Sequence, residues 1–441
     1  MKLSQFNIIA NYKENVVVFN TLTNSFLYLN KHIYDRLYDL NYINRLPEIN
    51  PDLYEKLRKS GVIIDSSFDE YGELLNRHQQ AVNDRSIYDL TLLPSLDCNL
   101  RCWYCFEKHA KGTHLSKEMR DRIVRHIDWV LVDNPNIKCL QITLFGGEPL
   151  LFFEEEVYPL LKAIQGRMNT FGKKIQCSIV TNGVKISLDN IALFSDLNAS
   201  FQISIDGCKE NHDKVKFVPS TKQGTYDHVI RMVNLLNKET SCFINLRINY
   251  NNRTLERVTD IMEDLKEVDK KKLRIHLERV WQTNATEEKQ PDVLKEVIDT
   301  FLLNGFYVSY MGFNSNYGLP CKTSKRYQAV ISHDGRVYKC TGRDFTEDLS
   351  EGILLENGRI QWNLEKLNKR MSIMTFEAER CQKCQFLPLC WGPCNQKILE
   401  AKKQGRIVKN CALDSIELSM NDYILYRFNN YYLWKQKNEI R

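Results

Sequence analysis

Hydrophobic and polar residues alternate with two different periods along the chain, and the sequence divides where those periods change. Over residues 1–85 the runs NVVVFN and SFLYLN, parted by the polar turn TLTN, read as short strands. HIYDRLYDLNYI and PDLYEKLRKSG read as helices, the second closing at Gly61, and GVIID reads as another strand. This order predicts a winged-helix-like α+β module. From residue 88 the pattern becomes regular. Strand-like runs lie at 88–96, 138–147, 175–183, 200–207, 242–250 and 273–281, with helical stretches between them. In SKEMRDRIVRHIDWVLVD the apolar positions Met119, Ile123, Ile127, Val130 and Leu131 keep a 3.6-residue period. The sixth strand is followed by the helical PDVLKEVIDTFLLNG. Six such units predict an α/β fold with parallel strands, right-handed crossovers and helices covering the sheet. The expectation for 86–310 is a partial (β/α)6 barrel, short of a closed barrel and open at its C-terminal strand face. Beyond it, over 311–441, cysteine, glycine and turn residues dominate up to the predicted helix DYILYRFNNYYLW.

Composition adds little to this until cysteine is counted. The chain has 441 residues, 43% hydrophobic and 26% charged, an ordinary globular mix. Its net charge of +6, from 61 basic and 55 acidic residues, gives no electrostatic case for nucleic acid as a partner. No apolar run reaches the ~20 residues needed to span a membrane, and MKLSQFNIIANYKEN lacks the apolar core of an export signal. A cytoplasmic protein with no membrane partner is expected. Its 14 cysteines would then sit in a reducing compartment, where metal ligation or catalysis is commoner than disulfides. Cys139, Cys177, Cys208 and Cys242 are scattered on or beside strands and read as small buried hydrophobes. The other ten form two groups.

In the first group, DCNLRCWYC spaces Cys98, Cys102 and Cys105 as C-x3-C-x2-C just past the first barrel strand. Three thiolates leave a four-ligand metal shell incomplete, so an iron–sulfur cluster would keep one iron open to a small molecule. A zinc site is the alternative. The spacing resembles the signature of the radical S-adenosylmethionine (radical SAM) superfamily. That resemblance implies a [4Fe–4S] cluster whose open iron chelates S-adenosylmethionine and whose electron releases a 5′-deoxyadenosyl radical. It places Tyr104 near the adenine. FGGEP then ends the second strand, where Gly146 and Gly147 permit close backbone approach and Glu148 can accept from an ammonium group. The resemblance assigns this segment to the methionine amino group. TNG (181–183) and SIDG (204–207) end the next two strands, with Ser204 and Asp206 favoured as cofactor contacts over Thr181 and Asn182. Relatives hold the cofactor carboxylate with an Arg in an H-D-x-x-R-like segment. This chain reads HDKVKF, so Lys216 takes that place without the bidentate fork of arginine, and Arg247 is an alternative donor.

The second group runs C-x13-G-x4-C, then C-x2-C-x5-C-x3-C, then Cys411. Asp334-Gly335 fits a hairpin turn presenting Cys340. A pair of zinc knuckles is one reading. The order also resembles the SPASM extension of radical SAM enzymes, which holds two auxiliary iron–sulfur clusters. The resemblance gives Cys381, Cys384, Cys390 and Cys411 to an outer cluster and Cys321, Cys340 and Cys394 to an inner one. The run MGFNSNYGLP before Cys321 offers no fourth thiol, so the inner cluster would keep an open iron or take another ligand.

The N-terminal run VFNTLTNSFLYLN…YDRL…LRKSGVIID resembles the PqqD-like leader-recognition module of peptide maturases, in which a sheet edge pairs with an extended peptide. Together these resemblances imply a maturase of a ribosomally made precursor peptide, served by an electron donor such as flavodoxin or ferredoxin. The alternatives are an enzyme like the anaerobic sulfatase maturases and a zinc-dependent peptide- or DNA-binding protein.

Overall fold

The computed structural model describes residues 1–283, 287–310, 319–408 and 411–438. It opens with strands β1 (Lys2–Leu3), β2 (Asn7–Tyr12), β3 (Asn15–Asn20), β4 (Ser25–Asn30) and β5 (Ile63–Ile64). β2, β3 and β4 form an antiparallel sheet, and β1 pairs with β5. Helices Lys31–Arg36, Leu40–Ile49 and Pro51–Lys59 lie between β4 and β5, and Glu70–Asn83 follows. The period of two in NVVVFN accounts for how the sheet packs. Val16 and Val18 face Leu29, Tyr34, Leu37, Ile43 and Leu46 of the module itself. Val17 and Phe19 face the opposite way, into the core of the main sheet. Strand β2 and helix Glu70–Asn83 were not evident in the sequence pattern.

The main sheet contains β6 (Ile87–Leu93), β7 (Cys139–Leu144), β8 (Lys174–Thr181), β9 (Ser200–Ile205), β10 (Ile244–Tyr250), β11 (Leu273–Arg279) and β12 (Tyr307–Tyr310). These are parallel and lie side by side in chain order. β12 makes a seventh parallel strand where the sequence pattern indicated six; YVSY is too short to register against its surroundings. The sheet also continues past β6. β13 (Gln328–Ser332) pairs with β6 in parallel, and β14 (Arg336–Tyr338), β15 (Gly352–Leu354) and β16 (Ile360–Trp362) follow as an antiparallel meander. The hairpin at Asp334-Gly335 joins β13 to β14, with Gly335 at φ +83.

Polar anchors bind the three regions. Buried Asp89 in β6 pairs with Lys322 at 3.0 Å and Lys325 at 2.8 Å. Helix Met420–Asn438 lies along β2, where the Asn421 side chain accepts from Asn11 N at 2.7 Å. Phe6, Leu22 and Leu74 share a core with Phe376, Leu387 and Trp391. Among the described residues no helix is long and apolar enough to cross a membrane. Cys177, Cys208 and Cys242 are buried and Cys139 is half-buried.

Candidate active site

Parallel strands bring their following loops to one edge, so residues far apart in sequence meet beyond the C-terminal ends of β6 to β11. The loop after β6 carries Cys98 and Cys102, both half-buried, and the exposed Cys105. Asp97 shapes it: its carboxylate accepts from Cys98 N at 2.7 Å and Gly112 N at 3.0 Å. Asn182 Nδ2 lies 3.7 Å from Cys98 Sγ, and Lys216 Nζ lies 3.9 Å from Cys102 Sγ. Both sulfurs therefore face N–H donors suited to thiolate character. Burial, with the Glu148 carboxylate beside it, pushes the Cys98 thiol up to about 12. Deprotonation there would need a nearby positive charge such as that of a metal.

The loop after β7 holds this cysteine loop by direct backbone contact. Glu148 N donates to Asp97 O at 2.8 Å. Gly147 sits at φ +49, and a Cβ there would fall 2.1 Å from Asp97 O, so only glycine fits. Gly147 N donates to Glu107 Oε2 at 2.8 Å. Glu148 is 1% exposed and is satisfied within the protein. Its carboxylate accepts from Thr181 Oγ1 at 2.6 Å, Asn182 N at 2.8 Å and Leu150 N at 3.1 Å. It thereby ties the end of β7 to the end of β8. Burial pushes both Glu148 and Glu107 up to about 7.

A buried polar cluster forms next to Cys102. Tyr104 OH donates to Asp206 Oδ1 at 2.6 Å and accepts from Lys216 Nζ and from Asn249 Nδ2. Lys216 Nζ lies 3.1 Å from Asp206 Oδ2, off the hydrogen-bonding direction, making an ion pair without a second hydrogen bond. Although burial opposes its charge, Asp206, Tyr104 and Cys102 hold the Lys216 ammonium well above the ordinary lysine range. Ser204 in β9 is half-buried opposite Arg247 of β10. Arg247 donates to Asn249 Oδ1 at 3.1 Å and pairs with Glu278 at 3.8 Å; Glu278 in turn meets His276 at 3.2 Å.

The thiols, glycines and strand-end polar groups thus converge on one rim. A family model of the radical SAM superfamily matches residues 92–277, the span that carries this rim. The protein is an enzyme with a radical SAM domain. The enzyme is 25% identical over 332 residues to a cysteine-type anaerobic sulfatase-maturating enzyme of Clostridium novyi, covering 68% of this chain and 86% of that one. Its fold is similar to that of native anSMEcpe with bound AdoMet and Cp18Cys peptide, with a TM-score of 0.54 and 23% identity, covering 80% of this chain and 100% of that one. It is also similar to Streptococcus suis SuiB bound to precursor peptide SuiA, with a TM-score of 0.51 and 15% identity, covering 92% and 97%.

The C-terminal cysteines of the enzyme fall into two neighbourhoods. Burial, with Cys411, Cys384 and Cys381 close by, pushes the Cys390 thiol up to about 12. Cys394 stands near Cys340, whose thiol burial raises to about 11. Cys321, Cys390, Cys394 and Cys411 line one cavity of about 1420 Å3, together with Glu278, Arg279 and Trp281 from the end of β11 and the residues just after it. Among the described residues no group of three or more His, Cys, Asp or Glu closes on a single ion. An all-thiol donor set suits iron–sulfur ligation. The run MGFNSNYGLP lies almost wholly outside the described residues.

Sequence reasoning missed Glu107, Asn249, His276 and Glu278. Glu107 could have been noticed as an acid two residues past Cys105; the other three carry no local signal.

Proposed function

We propose that this enzyme modifies a ribosomally made precursor peptide at the rim formed by β6 to β11. The cavity that joins the β11 end to the C-terminal cysteines carries this reading, because it sets those thiols beside the rim. In this reading Cys98, Cys102 and Cys105 hold a [4Fe–4S] cluster. With S-adenosylmethionine bound, that group supplies a 5′-deoxyadenosyl radical for hydrogen abstraction. The protein's own residues position and insulate. Gly147 and Glu148 lock the cysteine loop to β7 and β8. Lys216, paired with Asp206, puts a buried positive charge beside Cys102, and Tyr104 links that pair to Asn249. With Lys216 so engaged, Arg247 is the freer of the two cations for an anionic cofactor group. Cys381, Cys384, Cys390 and Cys411 hold one auxiliary cluster. Cys321, Cys340 and Cys394 would hold another, and a three-thiolate site of that kind would leave room for a peptide thiolate, the chemistry a thioether product would need. Residues 1–85 receive the leader, and flavodoxin or ferredoxin supplies the electron.

The likeness to the Clostridium novyi sulfatase-maturating enzyme favours a second reading, oxidation of one Cys or Ser side chain in a protein substrate. One experiment addresses both. The anaerobically reconstituted enzyme is incubated with candidate peptides, and the products are analysed by mass spectrometry. Loss of two hydrogens with a cysteine thiol consumed and no aldehyde formed supports the crosslink; an aldehyde, made from cysteine with sulfur replaced by oxygen or from serine with loss of two hydrogens, supports the maturase. The Cys98→Ala, Cys102→Ala, Cys105→Ala triple variant should make no 5′-deoxyadenosine yet keep its other iron. Continued 5′-deoxyadenosine formation would exclude the site.

A further inference from the structure

A buried polar chain runs behind the C-terminal cysteines and takes no part in the chemistry above. Its centre is Glu351, 5% exposed. Glu351 Oε2 accepts from the backbone N–H of Lys339, the residue before Cys340, at 2.9 Å. Glu351 Oε1 accepts from Arg370 Nε at 2.6 Å. The rest of that guanidinium donates to Asn395 Oδ1 at 3.1 Å and Gln396 Oε1 at 2.6 Å, on the two residues after Cys394. From the other side, buried Lys339 Nζ donates to the carbonyls of Lys325 at 2.7 Å and Gln328 at 2.8 Å. Lys322 and Lys325, in the segment that follows Cys321, are pinned to Asp89. One network therefore reaches a residue next to each of Cys321, Cys340 and Cys394. The outer cysteines are tied elsewhere: Gln385, next to Cys384, donates to Asn7 O of β2 at 2.8 Å.

We propose that Glu351 and Arg370 are positioning residues that set the separation of Cys340 and Cys394 for the inner auxiliary cluster. The inference rests on the reading of those cysteines as ligands. A buried ion pair is weak evidence for stability, whereas a fully satisfied network fixes one geometry. Arginine is suited to this because its rigid planar fork meets a carboxylate and two amide oxygens at once, which a lysine ammonium on a flexible stem does not do.

The test uses the full chain, reconstituted anaerobically, as wild type, Arg370→Met, Arg370→Lys and Gln396→Met. Iron per chain, electron paramagnetic resonance of the reduced clusters and their midpoint potentials are measured, with S-adenosylmethionine cleavage as the control on the radical cluster. Arg370→Met should lose about a third of the iron, one cluster of three, while cleavage persists. Arg370→Lys should keep the iron but shift the inner cluster's signal and potential. Wild-type iron and an unchanged inner signal in Arg370→Met would overturn the proposal. If that variant fails to fold, Gln396→Met decides, since it removes only one of the guanidinium's hydrogen bonds, together with the Gln396–Glu400 contact at 3.3 Å outside the network; an unchanged inner signal there overturns the proposal too. Wild type holding iron for the radical cluster alone would instead remove the reading of the C-terminal cysteines on which the proposal stands.

Discussion

Replacing Lys216 with methionine isolates the electrostatics of the rim. The Lys216 and Asp206 side chains are 3% and 5% exposed and lie 3.1 Å apart. An exposed pair of this kind contributes about 0–1 kcal/mol. Breaking a buried pair from one side costs about 3–5 kcal/mol, because the remaining charge has no compensation. Asp206 would keep the Tyr104 hydroxyl as its hydrogen-bond partner. Amides of the β9 end and of helix Lys209–Val215 should then exchange with solvent about a hundred- to several-thousand-fold faster, the same energy expressed as a local opening equilibrium. Asp206→Asn in the same background removes the orphaned charge and should restore part of the loss, with a coupling of about 0.5–3 kcal/mol. The assay is hydrogen exchange with mass spectrometry on wild type, both single variants and the double variant. Protection within threefold of wild type in Lys216→Met, or strictly additive losses in the double variant, would refute the reasoning. The sign with pH is also set. A lysine whose folded-state pKa is raised keeps its full contribution below the ordinary lysine range and loses it only as pH climbs through the higher folded value. The difference between wild type and Lys216→Met should therefore be flat from weakly acidic to weakly alkaline pH.

Glu148 has the same sign but a window within reach. Burial raises it to about 7 from an ordinary 4.5, so stability is greatest below about 4.5 and falls as pH rises towards about 7; Glu148→Gln should flatten that fall in pH-dependent unfolding, and an unchanged slope would count against it. Gly147→Ala should cost about 1–2 kcal/mol from its left-handed backbone alone, and the 2.1 Å approach to Asp97 O should also part the loops and reduce iron loading after reconstitution. Wild-type iron content in that variant would contradict the close approach. Deleting residues 1–85 should give an aggregating chain, because Ile8, Val17 and Phe19 sit in the main core and Phe6 and Leu22 pack with Phe376 and Trp391. A monodisperse truncated protein with intact far-ultraviolet circular dichroism would show the opposite.

What could be read from the amino-acid sequence was local. Strand–helix alternation registers within a few residues, so β6 to β11 were visible while four-residue β12 was not. The C-x3-C-x2-C spacing and the GGEP turn were visible for the same reason: their chemistry lies within one loop. Tertiary structure decided what each group does. Glu148 reads in sequence as an acceptor for an ammonium group, and only the fold shows that burial and three donors, from the end of β8, the residue after it and its own loop, also make it a clasp between strands. Lys216 stood in the place of an arginine, and only the fold reveals its pairing with Asp206 and its approach to Cys102, more than a hundred positions away. Nothing in the run around Glu351 or Arg370 marks either as special. Their part comes from β13 closing onto β6, which carries the Cys321 and Cys340 segments onto the main sheet. Short-range periodicity follows from backbone geometry and is written in the chain. Which buried charges meet depends on long-range packing, and a buried polar group takes its role from the partner that satisfies it.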